Sequence, residues 1–472
     1  MTESWLLAID SVIIVALFVA IAQFRSPSRA RFGNLTAAAA LLLAVAVVVF
    51  GETLRAAELV AFSLALGAAG GWYVSSRLTM LQIPAMVALQ NGAGGLAAFL
   101  VSFVQLTGPD GVISPVERAS GILCAIVGAA TFSGSMVAAA KLAGRLPQAP
   151  TRLHKDGAIL AAVAAGSLFL ATLAQWTTGI PLFWVLMALI PCALLLGVVF
   201  AARVGGADMP VLISFLNAGS GAAAAFCGMV IESRLLIVCG AAVAASGSIL
   251  THAMCRAMNR DLAAVLLAGY RSSSTSDSGS REIERPSAEP VAREESPPSA
   301  RGTAFEQTLD ALKESRSVIV VPGYGMALSQ AQWETVKIAE LLTKQGKKVR
   351  FAIHPVAGRM PGHMHVLLAE AEVDPDMLFD LPEINTEFQE TDLALVVGAC
   401  DVVNPAANTA EKTPISGMPI LAAFEAKHVV VCNLDERPGY SGVENPLYAD
   451  PKTIMMLGDA KTTLDRLLQS LQ

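Results

Sequence analysis

In the stretch SVIVVPGYGMAL, residues 317–328, a run of β-branched residues gives way to Gly323, Tyr324 and Gly325 and then to helix-favouring residues. A strand that turns through Gly-x-Gly into a helix can aim backbone N–H groups and a helix N-terminus at a phosphate. Pro322 stiffens the entry to the turn. Taken alone the motif is weak. Two glycines after a strand arise by chance, and Leu328 stands where a third small residue would let helix and strand pack closely.

The residues that must position this turn alternate in type. β-type runs fall at 317–321, 348–353, 393–397, 428–432 and 454–457, and helical stretches at about 303–315, 327–345, 363–371 and 460–471. Such alternation predicts an α/β doubly wound parallel sheet, a Rossmann-like domain over 303–472, with ligand at the carboxyl ends of the strands. The unusual residues gather at those ends. They are Gly323, Tyr324, Gly325, Met326 and Ala327 after the first strand, and His354, Val356, Ala357, Gly358 and Arg359 after the second. Gly398, Asp401 and Asn404 follow the third of these runs, and Asp435, Arg437, Gly439, Tyr440 and Ser441 the fourth. The second strand ends Ala352-Ile353-His354, without the acid that reads an NAD ribose, which favours a phosphorylated ribose or an unconventional binding mode.

A second set of polar residues lies in apolar surroundings. Asn91 sits in LQNGAGG, Ser133 and Ser135 in TFSGS, Asn217 in SFLNAGSG, Asp208 just before them, Asp10 near the start and His252 in the last apolar stretch. Small residues with Ser and Asn support close helix packing across a membrane. Buried polar groups in lipid also line water-filled paths, and Asn91, Ser135, Asp208 and Asn217 are the candidates for a proton path. His252 reads as interfacial.

The composition explains both sets. Hydrophobic residues make up 54% of the chain and charged residues 15%, against roughly 45–50% and about 25% in globular domains. Nine stretches reach the length of a membrane span, at about 4–24, 35–51, 57–75, 83–106, 119–140, 157–175, 180–202, 208–230 and 234–256. The first lacks a basic leader and a cleavage pattern, so it reads as a retained helix. Segments after the odd-numbered spans carry eleven Lys or Arg, including Arg77, Lys141 and Arg203, against three in the others, Arg55, Arg118 and Arg234. That bias predicts an outside N-terminus and a cytoplasmic C-terminal domain in a bacterial-type inner membrane. Residues 1–270 are thus a helical transmembrane bundle. Residues 271–302, rich in Ser, Pro, Glu and Arg, are a flexible tether. The net charge of −6 argues against nucleic-acid binding, and no Cys or His spacing suggests a metal site.

Longer strings add a resemblance. PGYGMALSQAQ, IHPVAGRMPGHMHVLLAEA, VNPAA, TPISGMP, GYSGVENPLY and GDAK in the soluble part, with ADMPVLISFLNAGSG and CRAMNRDL in the membrane part, resemble the β subunit of proton-translocating NAD(P) transhydrogenase over essentially the whole length. The resemblance implies NADP(H) on this chain and NAD(H) on a partner α subunit, with hydride passing between them and protons crossing the bilayer, in a dimer of αβ units. It further implies that Gly323 and Gly325 approach the pyrophosphate, that Arg359 pairs with phosphate, that 439–442 is a lid, and that Asp401, beside Asn404, senses the proton state near the nicotinamide.

Three positions depart from the family pattern. Asn91 replaces a titratable histidine, so the relay must come from water, another residue or the partner. Asn433-Leu434-Asp435 replaces a Lys-Arg-Ser that would clamp a 2′-phosphate, which leaves relaxed or NAD(H) specificity open unless Arg437 swings back. Cys400 replaces an asparagine. A nucleotide-gated channel or carrier is the rival class; it would call for a selectivity filter and commonly an acid after the second strand, and neither is present.

Overall fold

The computed structural model describes residues 3–23, 29–51, 57–79, 82–108, 114–147, 156–205, 208–258, 262, 265, 303–360, 362–411 and 413–472. The tether expected at 271–302 lies outside them. Contacts divide the chain into two compact units, one helical and one α/β.

Nine long helices build the first unit among the described residues: α1 (Glu3–Gln23), α2 (Ala30–Gly51), α3 (Ala57–Arg77), α4 (Ile83–Thr107), α5 (Pro115–Leu142), α6 (Asp156–Trp176), α7 (Ile180–Ala202), α8 (Met209–Val230) and α9 (Arg234–Ala257). Eight are long and apolar enough to cross a bilayer; in α1 the apolar run, Leu7–Gln23, is shorter. The chain is therefore a multi-pass membrane protein.

α5 is the hub. It starts with a capping box, in which Ser114 Oγ accepts from Glu117 N–H while the Glu117 carboxylate accepts from Ser114 N–H. A cation near each end of α5 serves a neighbour's C-terminus, where carbonyls lack intrahelical partners. Arg118 donates to Gln175 O and Thr177 O at the end of α6. Lys141, 2% exposed, donates to Ala202 O (2.6 Å) and Val204 O (2.8 Å) at the end of α7. Small residues then let the backbones meet. A Cβ on Gly95 of α4 would lie 2.7 Å from Gly128 O of α5, and one on Gly128 would lie 2.7 Å from Gly95 O.

The second unit is a six-stranded, all-parallel sheet in the order β3-β2-β1-β4-β5-β6. Its elements are α10 (Ala304–Glu314), β1 (Ser317–Pro322), α11 (Tyr324–Leu328), α12 (Gln332–Lys344), β2 (Lys348–Ile353), α13 (His363–Glu370), β3 (Leu378–Asp380), β4 (Leu393–Val397), β5 (His428–Asn433), β6 (Thr453–Leu457) and α14 (Ala460–Leu471). β1 and β4, buried from Val318 to Pro322 and throughout, show the continuous apolar pattern of strands covered on both faces.

Two details differ from expectation. β3 was not foreseen, because three residues carry no period. The single helix expected over 327–345 is two, α11 and α12, broken where Gln330 adopts φ +54°.

At the amino edge, Asp392 accepts from Arg316 N–H and Ser317 N–H and pairs with Lys427 at 2.7 Å. Lys427 first, then the two amides, hold its carboxyl well below the usual range. β1, β4 and the entry to β5 are thereby tied together.

Candidate functional site

Strand order reverses between β1 and β4, the place where open parallel sheets form their ligand crevice. The turns leaving these two strands are interlocked. Gly323 N–H donates to Val397 O and Gly325 N–H to Gly398 O, each at 2.8 Å. A Cβ on Gly323 would come within 2.2 Å of Gly398 O, and one on Gly398 within 2.1 Å of Met326 N. Gly398 also has φ +66°, a region L side chains rarely adopt. The glycines therefore seat one turn on the other. Met326 and Ala327 are buried in α11, while Tyr324 and Gly325 are partly exposed at the crevice.

Asp401 opens a short 3-10 turn after β4. Its Oδ1 accepts from Ser441 Oγ at 2.6 Å and its Oδ2 from Ser441 N–H at 3.1 Å. Gly439 lies against the same carboxylate, where a Cβ would be 2.7 Å from Oδ2. Tyr440, between them, places its ring 6.1 Å from that of Tyr324. The loop 439–442 is thus fastened at once to the turns of β1 and β4. Asn404, fully buried, donates to Glu444 O and accepts from Ala406 N–H, fixing the far end of the loop.

The turn after β2 joins the cluster through a residue sequence reasoning did not single out. His363, buried, packs its ring 6.2 Å from Tyr324, and Gly358, at φ +101°, lies against it. Val356, Ala357 and the half-buried Arg359 belong to this turn. His354 points inward. Its Nδ1 accepts from Val356 N–H, so Nε2 carries the proton donated to Pro419 O at 2.7 Å. Burial pushes this imidazole down to about 4, against a smaller opposing effect of the Pro419 carbonyl.

At the end of β5, Asn433 turns into the fold and donates to Ala399 O (3.0 Å) and Tyr448 Oη (2.8 Å), while its buried Oδ1 has no hydrogen-bond partner among the described residues. Leu434, Asp435 and Arg437 are exposed, and Arg437 pairs with Asp435 at 3.6 Å. Cys400 lies between; burial raises its thiol, and its carbonyl accepts from Asn445. Asn445 and Tyr448, which brace these turns, carried only the signal of their place in GYSGVENPLY.

In the membrane unit, Gly92, the residue after Asn91, meets Ser135 where α4 and α5 cross: a Cβ on Gly92 would lie 3.1 Å from Ser135 Cβ. Asn91 Nδ2 and Ser135 Oγ are buried without hydrogen-bond partners among the described residues. Asn217 lies partly buried on α8, which packs on both helices, and Asp208 precedes α8 at its N-cap. Among the described residues no group of His, Cys, Asp or Glu could hold a metal.

Fold and site together define a polytopic membrane protein that carries a Rossmann-type domain. The model of the NAD(P) transhydrogenase beta subunit family matches residues 7–470. Two curated relatives, NAD(P) transhydrogenase subunit beta of Rhodospirillum rubrum and that of a named strain of the same species, are each 37% identical over 486 residues, covering 100% of both chains. The chain belongs to the NAD(P) transhydrogenase beta subunit family.

Proposed function

We propose that this chain couples hydride transfer between NAD(H) on a partner α subunit and NADP(H) on its own α/β domain to proton translocation through its helices. The observation that carries the nucleotide half is the loop 439–442, fastened to Asp401 after β4 and laid with Tyr440 against Tyr324 after β1, at the point where strand order reverses. The domain suits a dinucleotide: partly exposed Tyr324 and Gly325 border the crevice, and the orphaned Asn433 Oδ1 could accept from a ribose hydroxyl. Arg359 would pair with phosphate, Tyr440 and Ser441 would close over the ligand, and Asp401 would act as coupling residue. The bound nicotinamide supplies the hydride chemistry; the chain's task is to hold it, exclude water and change its affinity.

The partner is an α subunit, as the naming of the relatives implies, in a dimer of αβ units. The bias in loop charge supports an N-terminus outside and an α/β domain in the cytoplasm of a bacterial-type cell. The buried Asn91 Nδ2 and Ser135 Oγ, without hydrogen-bond partners among the described residues, support a proton path through Asn91, Ser135, Asn217 and Asp208.

A specific observation favours a second reading, relaxed or NAD(H) specificity. Asn433 is turned inward, and Arg437 pairs with Asp435 in place of reaching toward a 2′-phosphate. Equilibrium titration of the purified chain with NADPH and NADH separates the two. Tighter NADPH binding is expected; tighter NADH binding would transfer the cofactor assignment to the second reading.

A further inference from the structure

The proton-path residues named above occupy one part of the α4/α5/α8 interface, and a second polar cluster lies farther along it. The buried face of α4 runs Ala88, Gly92, Gly95, Phe99, Ser102, Leu106, with the spacing of a single helix stripe. Gly92, next to Asn91, meets Ser135 toward one end. In the middle, Gly95 and Gly128 bring the two backbones into contact, and a Cβ on Gly219 of α8 would lie 2.7 Å from Thr131 Oγ1.

Beyond this tight crossing stands Ser102. It is 0% exposed, and its Oγ makes no well-directed hydrogen bond among the described residues. Its polar neighbours are the thiols of Cys124 on α5 and Cys227 on α8, both buried. Cys124 Sγ also lies within reach of the carbonyls of Ala98 (3.3 Å) and Ala223 (3.2 Å). A buried hydroxyl with only weak thiol neighbours is under-satisfied and gains from a stronger partner. Water is the small partner that can use a hydroxyl, two thiols and nearby carbonyls together.

We propose that Ser102, with Cys124 and Cys227, forms a second water-holding station of the proton route, separated from the Asn91/Ser135 station by the Gly95–Gly128 contact. A water or hydronium held there accepts a proton on one side and releases one on the other, with no net change at the side chains. This rests on the translocation reading above.

The test uses the full chain reconstituted with its partner subunit in liposomes. Internal pH is followed during turnover, and single-turnover hydride transfer between bound nucleotides is measured alongside. Ser102→Ala removes the hydroxyl without adding bulk. It is expected to slow proton translocation about tenfold while single-turnover hydride transfer persists, and Ser102→Thr is expected to restore pumping. Translocation at the wild-type rate in Ser102→Ala, or Ser102→Thr as slow as Ser102→Ala, would overturn the second station. A wild-type complex that transfers hydride without moving protons would instead overturn the translocation reading itself.

Discussion

Both ring nitrogens of His354 are engaged inside the fold, and the consequence is a pH dependence with a definite sign. In the unfolded chain the imidazole titrates near the ordinary value of about 6.5; in the folded domain it does so at about 4. Above pH 6.5 both states are neutral and nothing changes. Between the two values the unfolded chain takes up a proton that the native state refuses, so stability falls as pH falls. Urea unfolding of the 303–472 domain should show a loss of roughly 2 kcal/mol from this group between pH 7 and 5. His354→Asn should flatten that slope, and an unchanged slope would show that His354 is not its source. Sequence marked His354 by its place after β2. It could not show that the ring bonds a carbonyl 65 residues away, because such a partner is set by the tertiary fold. The same holds for Asp401 and Ser441, both marked in the sequence, whose hydrogen bond to each other only the fold reveals.

At the scale of elements, the site depends on how the turns of β1 and β4 fit together. Gly398→Ala would put a methyl group 2.1 Å from the backbone nitrogen of Met326, at a residue with φ +66°. Backbone cannot yield as a side-chain tip can, so a destabilisation of about 2 kcal/mol or more is expected, with loss of nucleotide binding. Thermal unfolding and nucleotide titration of the variant check this; wild-type values in both would contradict the seating role. Strands β1, β4 and β5 were legible because continuous apolar runs are the pattern of a sheet covered on both faces, and β2 and β6 from their shorter apolar runs between helical stretches. The break at Gln330 was not, because a left-handed residue other than Gly or Asn carries no compositional signal. The spans were legible from length alone, but the use made of their charges was not. Lys141 was counted as a loop charge, whereas it lies buried against the end of α7.

For the whole molecule, a sheet domain of ordinary composition and a helical unit rich in glycine crossings occur in one chain. The family links them, and the proposed function requires that nucleotide binding in one respond to protonation in the other. The long strings that resemble the family made it legible in the sequence. The three departures, Asn91, Cys400 and Asn433-Leu434-Asp435, are where family pattern and physical reading part, since local chemistry there belongs to this chain. The most direct test reconstitutes the chain with its α partner in sealed liposomes and follows NADPH formation from NADH with and without an imposed proton gradient. Coupling predicts that the gradient speeds NADPH formation about tenfold or more and shifts its equilibrium, and that a protonophore abolishes both effects. Hydride transfer indifferent to the gradient would contradict it.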